Sequence, residues 1–483
     1  MGNKLITFFN KHKQEIFLFF AIVVYIIYFT AASFLRYSNF YTGRFDLGNM
    51  DQTVWNTVHG RFFQLTNPDG TNIISRLAFH ADFILVLLAP FYLFWQDPRM
   101  LLLIQTIVSA FGAIFMYLIA KQLLKNKNIS LIIAVAFLLN PSLEYANLYD
   151  FHAVTLATTF FLMAFYFLKS KKYMLYCLSL ILAALTKEQV WVVSALFGIY
   201  TIFESKKKIL GISITVISLI LFYIIFFKAI PLEHGGSHFA LSYYSDFGST
   251  PKSILTTIVF SPQKTASLLF ARDRLVYLFE IFMPVGFLSF VAPLFLIFTG
   301  PDMAINLLSN NSQLHQIFYQ YTAVILPFIF ISAIHGILYI RKVLPKIPLF
   351  SFGLYILITT IFSAYFFGPL PFTRDPNTDM FTKPLPYAQS IDAFLTTIPL
   401  QYSVAATNNV GSHLSHREKI FTIPVGIDQA DVLVFLLNDK FAQPSLAAQK
   451  EIVKNLQKDK RYVELFNHGD FIVFKKKQDK LAP

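Results

Sequence analysis

Residues 15–52 read EIFLFFAIVVYIIYFTAASFLRYSNFYTGRFDLGNMDQ. The run Glu15–Leu35 is long enough to cross a hydrocarbon core of roughly 30 Å, which needs about 20 apolar residues in a helix. Just beyond it, Arg44-Phe45-Asp46-Leu47-Gly48-Asn49-Met50-Asp51-Gln52 gathers two carboxylates and a guanidinium in one short polar segment. A membrane span followed at once by such a segment sets the fold class, and points to chemistry at a membrane surface.

The rest of the chain agrees with that opening. Of its 483 residues 55% are hydrophobic and 14% charged, and the mean hydropathy is +0.55, beyond what a soluble domain of this size reaches. Arg99–Ala120, Ile209–Ile230, Tyr319–Ile340 and Leu349–Phe366 are further spans. The formal charge of +13 is not pooled in a basic domain, so it is no nucleic-acid signal. Lys4, Lys11 and Lys13, then Lys121, Lys125 and Lys127, then Lys169, Lys171 and Lys172, then Lys206, Lys207 and Lys208, and finally Arg341, Lys342 and Lys346 punctuate the apolar runs. Short basic loops mark the cytoplasmic side, so the N-terminus is expected there.

If all these clusters share one side, the crossings between them must be even in number. Phe83–Trp95, with about 13 residues and Pro90, is too short to cross and suits an interfacial or re-entrant helix. With weaker segments included, and Leu275–Thr299 taken as two short helices around Pro284 and Gly286, about eleven spans are expected. The expected fold is therefore an all-α polytopic transmembrane bundle over residues 1–366, with a long first outside loop at 36–98. The proline-rich stretch 367–387 is a linker. Tyr402–Ala406 and Asp431–Leu437 read as buried strands, Leu446–Leu456 as a helix and Tyr462–Lys475 as a hairpin, so 388–483 is expected to be a small extracytoplasmic α/β domain. Residues 15–35 are expected to stay as an anchor helix. The lone Cys177 excludes a disulfide within the chain.

Parity collects the polar breaks on the outer face. Asp46 is a good helix N-cap, with Phe45 and Met50 as a hydrophobic staple and Gly60 at the helix end; a capping carboxylate is also a fixed one, so a chemical role stays open. Asp51 lies five residues on, about 140° around a helix, so the two carboxylates do not share a face. Arg76, His80 and Asp82 come later in the same loop, either as an interfacial belt or as a site in which His80 holds a phosphate or a metal. Asp150 with His152, and Lys187 with Glu188, interrupt apolar runs, where ionisable groups cost roughly 2.5–3.5 kcal/mol at a helix centre. Lys187 is either an anchor or a cation for an anionic headgroup. His315 and Gln320, in the last outside loop, serve no anchoring purpose. Walker, CxxC, HExxH and GxSxG patterns are absent, which argues against an ATP-driven pump, a zinc protease and a serine hydrolase.

The run Phe45–Asn56, with Gly60, His80, Pro90, Gln105, Asp150-Phe151-His152, Lys187-Glu188, Asn306–Ser309, Tyr319–Pro327, Thr407–Asn409 and His413–Arg417, resembles the prokaryotic membrane protein family known as domain of unknown function 2079. That family is similar to the GT-C superfamily of glycosyltransferases, which includes protein O-mannosyltransferases and lipid A aminoarabinose transferases. The resemblance implies a GT-C-like membrane domain and transfer of a sugar from a polyprenyl-phosphate donor to an extracytoplasmic glycan, lipid or protein acceptor. It implies Asp46 as catalytic acid or base, since Gly60 stands about fourteen positions on as in the aminoarabinose-transferase pattern; Asp51 is the second catalytic candidate. Leu47 occupies the place of the second acid that many of those enzymes pair with the first. Arg44, Arg76, His80, Asp82, Asp150, His152, Lys187, Glu188, His315 and Gln320 are then candidates for binding substrate or lipid phosphate. A divalent cation is an optional cofactor, with Asp46 and His80 as candidate ligands. Two other readings stand beside the enzyme: a transporter or lipid flippase, and a membrane-anchored binding or sensory protein.

Overall fold

The computed structural model describes residues 2–477. It is mostly helical, and the first helix shows why. In α1 (Gly2–Ser38) the side chains of Leu18, Ile22, Tyr25, Phe29 and Ala32 are buried while Phe17, Phe19, Phe20, Val24 and Ile27 are exposed. The inner set has helical spacing, yet the outer set is equally apolar, and only lipid satisfies both faces. The same holds in α3 (Arg99–Leu124), α4 (Lys208–His234), α5 (Leu326–Val343) and α6 (Leu349–Phe367), where α2 is the short helix Asn49–Val58. These five long apolar helices become six crossings if Lys127–Leu138 and Pro141–Leu148, bent by 41°, are one broken span. Pro141 supplies the break, and Asn140 restarts the helix by accepting the Ser142 amide at 3.0 Å.

Four of the expected spans fall within these helices. The fifth is corrected: the helix begins at Leu326 rather than Tyr319, because Gln320–Thr322 forms a tight 3-10 turn and Pro327 favours a helix start. Thr155–Lys169, Tyr173–Ala184 and Val190–Glu204 are shorter apolar helices. Residues 272–299 break into Arg272–Phe282 and three 3-10 turns, with Gly286 at φ +58°. Ile84–Leu88 continues as a 3-10 turn to Leu93 and stays short.

The basic segments meet at one end of the bundle. Lys121 and Lys127 both reach Glu15 at 3.1 and 3.0 Å, Lys127 also donates to the Lys11 carbonyl, and Gln122 donates to the carbonyl of Lys169, which pairs with Glu204. The opposite end of α1 leads into the Arg44–Gln52 segment.

That opposite end is covered by a sheet. Strands β1 (Gln64–Thr66) and β2 (Ile73–Ser75) form a small ribbon. Strands β3 (Val404–Ala406), β4 (Ile420–Thr422), β5 (Val432–Leu436), β6 (Tyr462–His468) and β7 (Phe471–Lys476) form a five-stranded mixed sheet in the order β4-β3-β5-β7-β6. The β3 pairings are parallel, and β7 is antiparallel to both neighbours. Alternation sends Val404, Val432, Val434 and Val473 to one face, where Phe40 from the end of α1 joins them, and Ala405, Leu433, Phe435 and Phe474 to the other, against the helix Leu446–Lys458.

The sheet is fastened to the first loop by polar contacts. Gln52 Nε2 donates to the carbonyls of Arg417 and Glu418 at 2.9 and 3.2 Å, Thr42 and Ser412 hydroxyls meet at 2.8 Å, and the Phe45 amide donates to Asn408. A side chain at Gly411 would lie 2.4 Å from Arg44 Cβ, so only glycine lets the two backbones approach this closely.

Candidate functional site

Asp46 does not cap a helix. Arg44–Gly48 is one π-helical turn running straight into α2, with Gly43 at its start and no side-chain cap. This is a correction of the capping expectation; Gly60, at φ +80° just past α2, does close the helix. The extra residue in a π turn rotates the helix beyond it, and such turns concentrate at functional sites. Here Asp46 points one way and Asp51 the other.

The Asp46 carboxylate meets the turn after the broken span. His152 Nε2 lies 3.1 Å from Asp46 Oδ1, and the Tyr149 hydroxyl donates to Oδ2 at 3.4 Å. That turn is held by the buried Gln105 of α3, which donates to the Asp150 carbonyl at 2.9 Å and accepts the His152 amide at 2.8 Å and the Thr155 hydroxyl at 2.7 Å. Burial opposes ionisation of Asp46, but the hydrogen bond and charge of His152, the Tyr149 hydroxyl and the Arg76 charge outweigh it and hold the carboxyl below its usual range. Asp46 is thus an ionised acceptor in a fixed place.

Asp46 lines a cavity of about 940 Å³, together with Arg76, His80, Asp82, His152, Lys187, Glu188 and Gln320. Eight of the candidate residues are therefore brought to one enclosure from four separate regions of the chain. Asp302 and His238 join them, and Phe222, Phe226, Phe239, Ile254, Leu255 and Ile258 form an apolar side. Leu255 is largely exposed.

The charges in this cavity are unequally paired. Arg76 and Asp82 form a buried bidentate pair, Nε to Oδ1 at 3.1 Å and Nη2 to Oδ2 at 2.7 Å. His80 Nδ1 lies 2.9 Å from Glu188 Oε1, and the Ala81 amide donates to Oε2 at 3.1 Å. Burial, against the pull of Glu188, lowers His80 to about 4, so it is neutral near pH 7. Lys187 lies over the Tyr321 ring at 5.8 Å, and among the described residues no carboxylate is within ion-pair distance of it. It is the cation free to receive an anion.

Four candidates lie outside the cavity. Asp51 is fully buried, taking hydrogen bonds from the Tyr92 and Ser415 hydroxyls and lying 3.1 Å from His416 Nε2; its acceptor capacity is spent on joining the first loop to the sheet. Arg44 is buried beside it, with Nη2 on Gln52 Oε1 at 2.8 Å, and burial together with the Arg76 charge lowers it to about 9. Asp150 sits behind Asp46 and accepts the Gly43 amide at 2.9 Å; burial and the Asp46 charge push it up to about 8. His315 is 3.0 Å from Asp273 in a separate pocket of about 510 Å³.

Among the described residues, one group of three could hold a metal: His80, Glu188 and His238. His80 is the candidate ligand shared with the sequence expectation; Asp46 is not in the group. His238 comes from the loop after α4, and its only sequence signal is an imidazole just after Gly235-Gly236-Ser237. Glu144, in the broken span, is likewise without a signal in the sequence. It is fully buried, and among the described residues neither of its carboxylate oxygens has a hydrogen-bond partner.

No curated protein matches the chain. A family model described as a predicted membrane protein, DUF2079, matches residues 36–464, which takes in the π turn, the cavity and strands β3, β4 and β5 of the sheet. The chain belongs to that family of predicted membrane proteins.

Proposed function

We propose that the protein is an integral membrane glycosyltransferase of the GT-C kind, moving a sugar from a polyprenyl-phosphate donor to an extracytoplasmic acceptor with inversion. The observation that carries this reading is the cavity itself: an ionised, oriented carboxylate and a lysine with no ion-pair partner among the described residues share a space whose other side is apolar and includes the exposed Leu255. A donor with a phosphate head and an isoprenoid tail has this same division.

In the reaction, Asp46 accepts the proton of an acceptor hydroxyl as its oxygen bonds to the anomeric carbon. The bond from that carbon to the phosphate oxygen breaks, and the phosphate leaves with the electron pair, stabilised by Lys187. His152 and Tyr149 hold Asp46 in line. The basic end of the bundle is then cytoplasmic, the cavity and sheet extracytoplasmic, and the shorter helices complete about eleven crossings.

One observation favours transport instead. A buried carboxylate in a broken span, as Glu144 is, resembles the ion and proton sites of transporters. The two readings part in a single assay with purified protein in lipid nanodiscs and a panel of polyprenyl-phosphate sugars. Transfer releases free polyprenyl phosphate; transport or flipping leaves the sugar-phosphate bond intact, and an intact donor pool across the panel, with an acceptor extract supplied, overturns the transferase.

A further inference from the structure

His80, Glu188 and His238 come from three segments that are 108 and 50 residues apart in sequence, yet their ligand atoms all lie within 4.8 Å of one another. His80 Nδ1 is 2.9 Å and His238 Nε2 3.4 Å from the same oxygen of Glu188. Tetrahedral bonds of roughly 2.0–2.2 Å set neighbouring ligand atoms about 3.4 Å apart, so small shifts suffice to close the three around one ion. The group is built in: Glu188 and His238 are buried, and the His238 ring stacks on Phe226 at 5.0 Å and on Phe239 at 4.9 Å. Among the described residues its buried Nε2 has no hydrogen-bond partner.

We propose that these three residues bind one Zn²⁺ ion in the wall of the cavity, with its open position facing the cavity. Two imidazoles and one carboxylate form a zinc set that keeps a fourth position for water or substrate, and nitrogen with oxygen donors favours Zn²⁺ over Mg²⁺ or Ca²⁺. Two neutral histidines and one glutamate leave the ion with a net positive charge. Next to Lys187, and with the buried Asp302 also on the cavity wall, it makes an anion site for a phosphate oxygen. That role rests on the transfer reading; binding of the ion does not.

The ion also has a structural consequence. His238 Nδ1 accepts the Ala240 amide at 3.1 Å and so starts the 3-10 turn Phe239–Tyr244. Coordination through Nε2 places the ring proton on Nδ1, which turns that acceptor into a donor and releases the amide. Because Phe239, Ala240, Leu241, Tyr243 and Tyr244 all line the cavity, loading loosens one of its walls.

The test uses the full chain in nanodiscs, stripped with chelator and reloaded with Zn²⁺ alone or Co²⁺ alone. Wild type is expected to retain one ion per chain by elemental analysis, to give a tetrahedral Co²⁺ visible spectrum, and to exchange the Ala240 amide faster when loaded. His238→Gln and Glu188→Gln should each lower retention at least tenfold, while His59→Ala retains one ion. No stoichiometric ion in wild type, or full retention in both variants, overturns the site and shows that the two imidazoles only pair with Glu188. The wild-type spectrum keeps the test decisive if a variant does not fold. A protein that binds Zn²⁺ but releases no polyprenyl phosphate keeps the site and loses the transfer reading.

Discussion

His152 Nε2 stands 3.1 Å from Asp46 Oδ1, and the backbone of His152 is itself fixed by Gln105 from α3. The imidazole therefore positions a carboxylate that projects from another element, and keeps it ionised against burial. If Asp46 is the base, His152→Gln disturbs the hydrogen bond that orients the carboxylate, and kcat should fall roughly tenfold with KM for the donor little changed. A rise in KM with unchanged kcat would place His152 in substrate binding instead.

The Arg76–Asp82 pair is buried and bidentate. Removing one partner strands the other charge, at a cost of about 3–5 kcal/mol, whereas replacing both by apolar residues of similar size is often neutral. Arg76→Met and Asp82→Leu should each lower the Tm sharply, and the double variant should recover most of the loss. Additive losses would mean that each side chain is needed for something besides the other.

Lys187 has no carboxylate within ion-pair distance among the described residues, so its removal breaks no ion pair. Lys187→Ala should lower kcat/KM for a polyprenyl-phosphate donor by roughly tenfold or more, with Lys187→Arg in between. An unchanged kcat/KM places the phosphate elsewhere.

Asp51 and His416 link the first loop to the sheet. Burial works against the imidazolium, but the Asp51 charge and hydrogen bond prevail and raise His416 above its ordinary 6.5; Asp97 adds to the rise and Arg417 opposes it. A group raised on folding contributes stability that is complete below the unfolded value and lost as pH rises through the folded one. The Tm of wild type should therefore fall as pH climbs from 6.5, and His416→Gln should flatten that slope. A slope unaltered by the substitution assigns it to other groups.

The membrane helices are legible in the sequence because lipid leaves no choice: a run as apolar as Glu15–Leu35 has one stable environment, and its backbone must be hydrogen-bonded within itself. The start of α5 is not, because the apolar run Tyr319–Ile340 hides a 3-10 turn and the Pro327 start. Strands β5, β6 and β7 have apolar and alternating patterns that local sequence shows. Cavity residues such as Asp46, His80, His152, Lys187 and Glu188 stand out because each interrupts or borders an apolar run, where polar groups are few. His238 does not, since a histidine in a polar loop looks like any other, and its partner Glu188 lies 50 residues away. The partner of Asp51, Ser415, is 364 residues distant; no periodicity carries such a pairing. The π turn at Arg44–Gly48 escapes for the opposite reason: locally it looks like a capped α-helix.

Asp46 is the centre of the account, and single-turnover release of polyprenyl phosphate from a polyprenyl-phosphate sugar tests it most directly. With saturating donor and acceptor, Asp46→Asn keeps shape and loses the base, so release should slow by at least roughly 100-fold, with Tm within a few degrees of wild type. Release at the wild-type rate from Asp46→Asn would contradict the assignment.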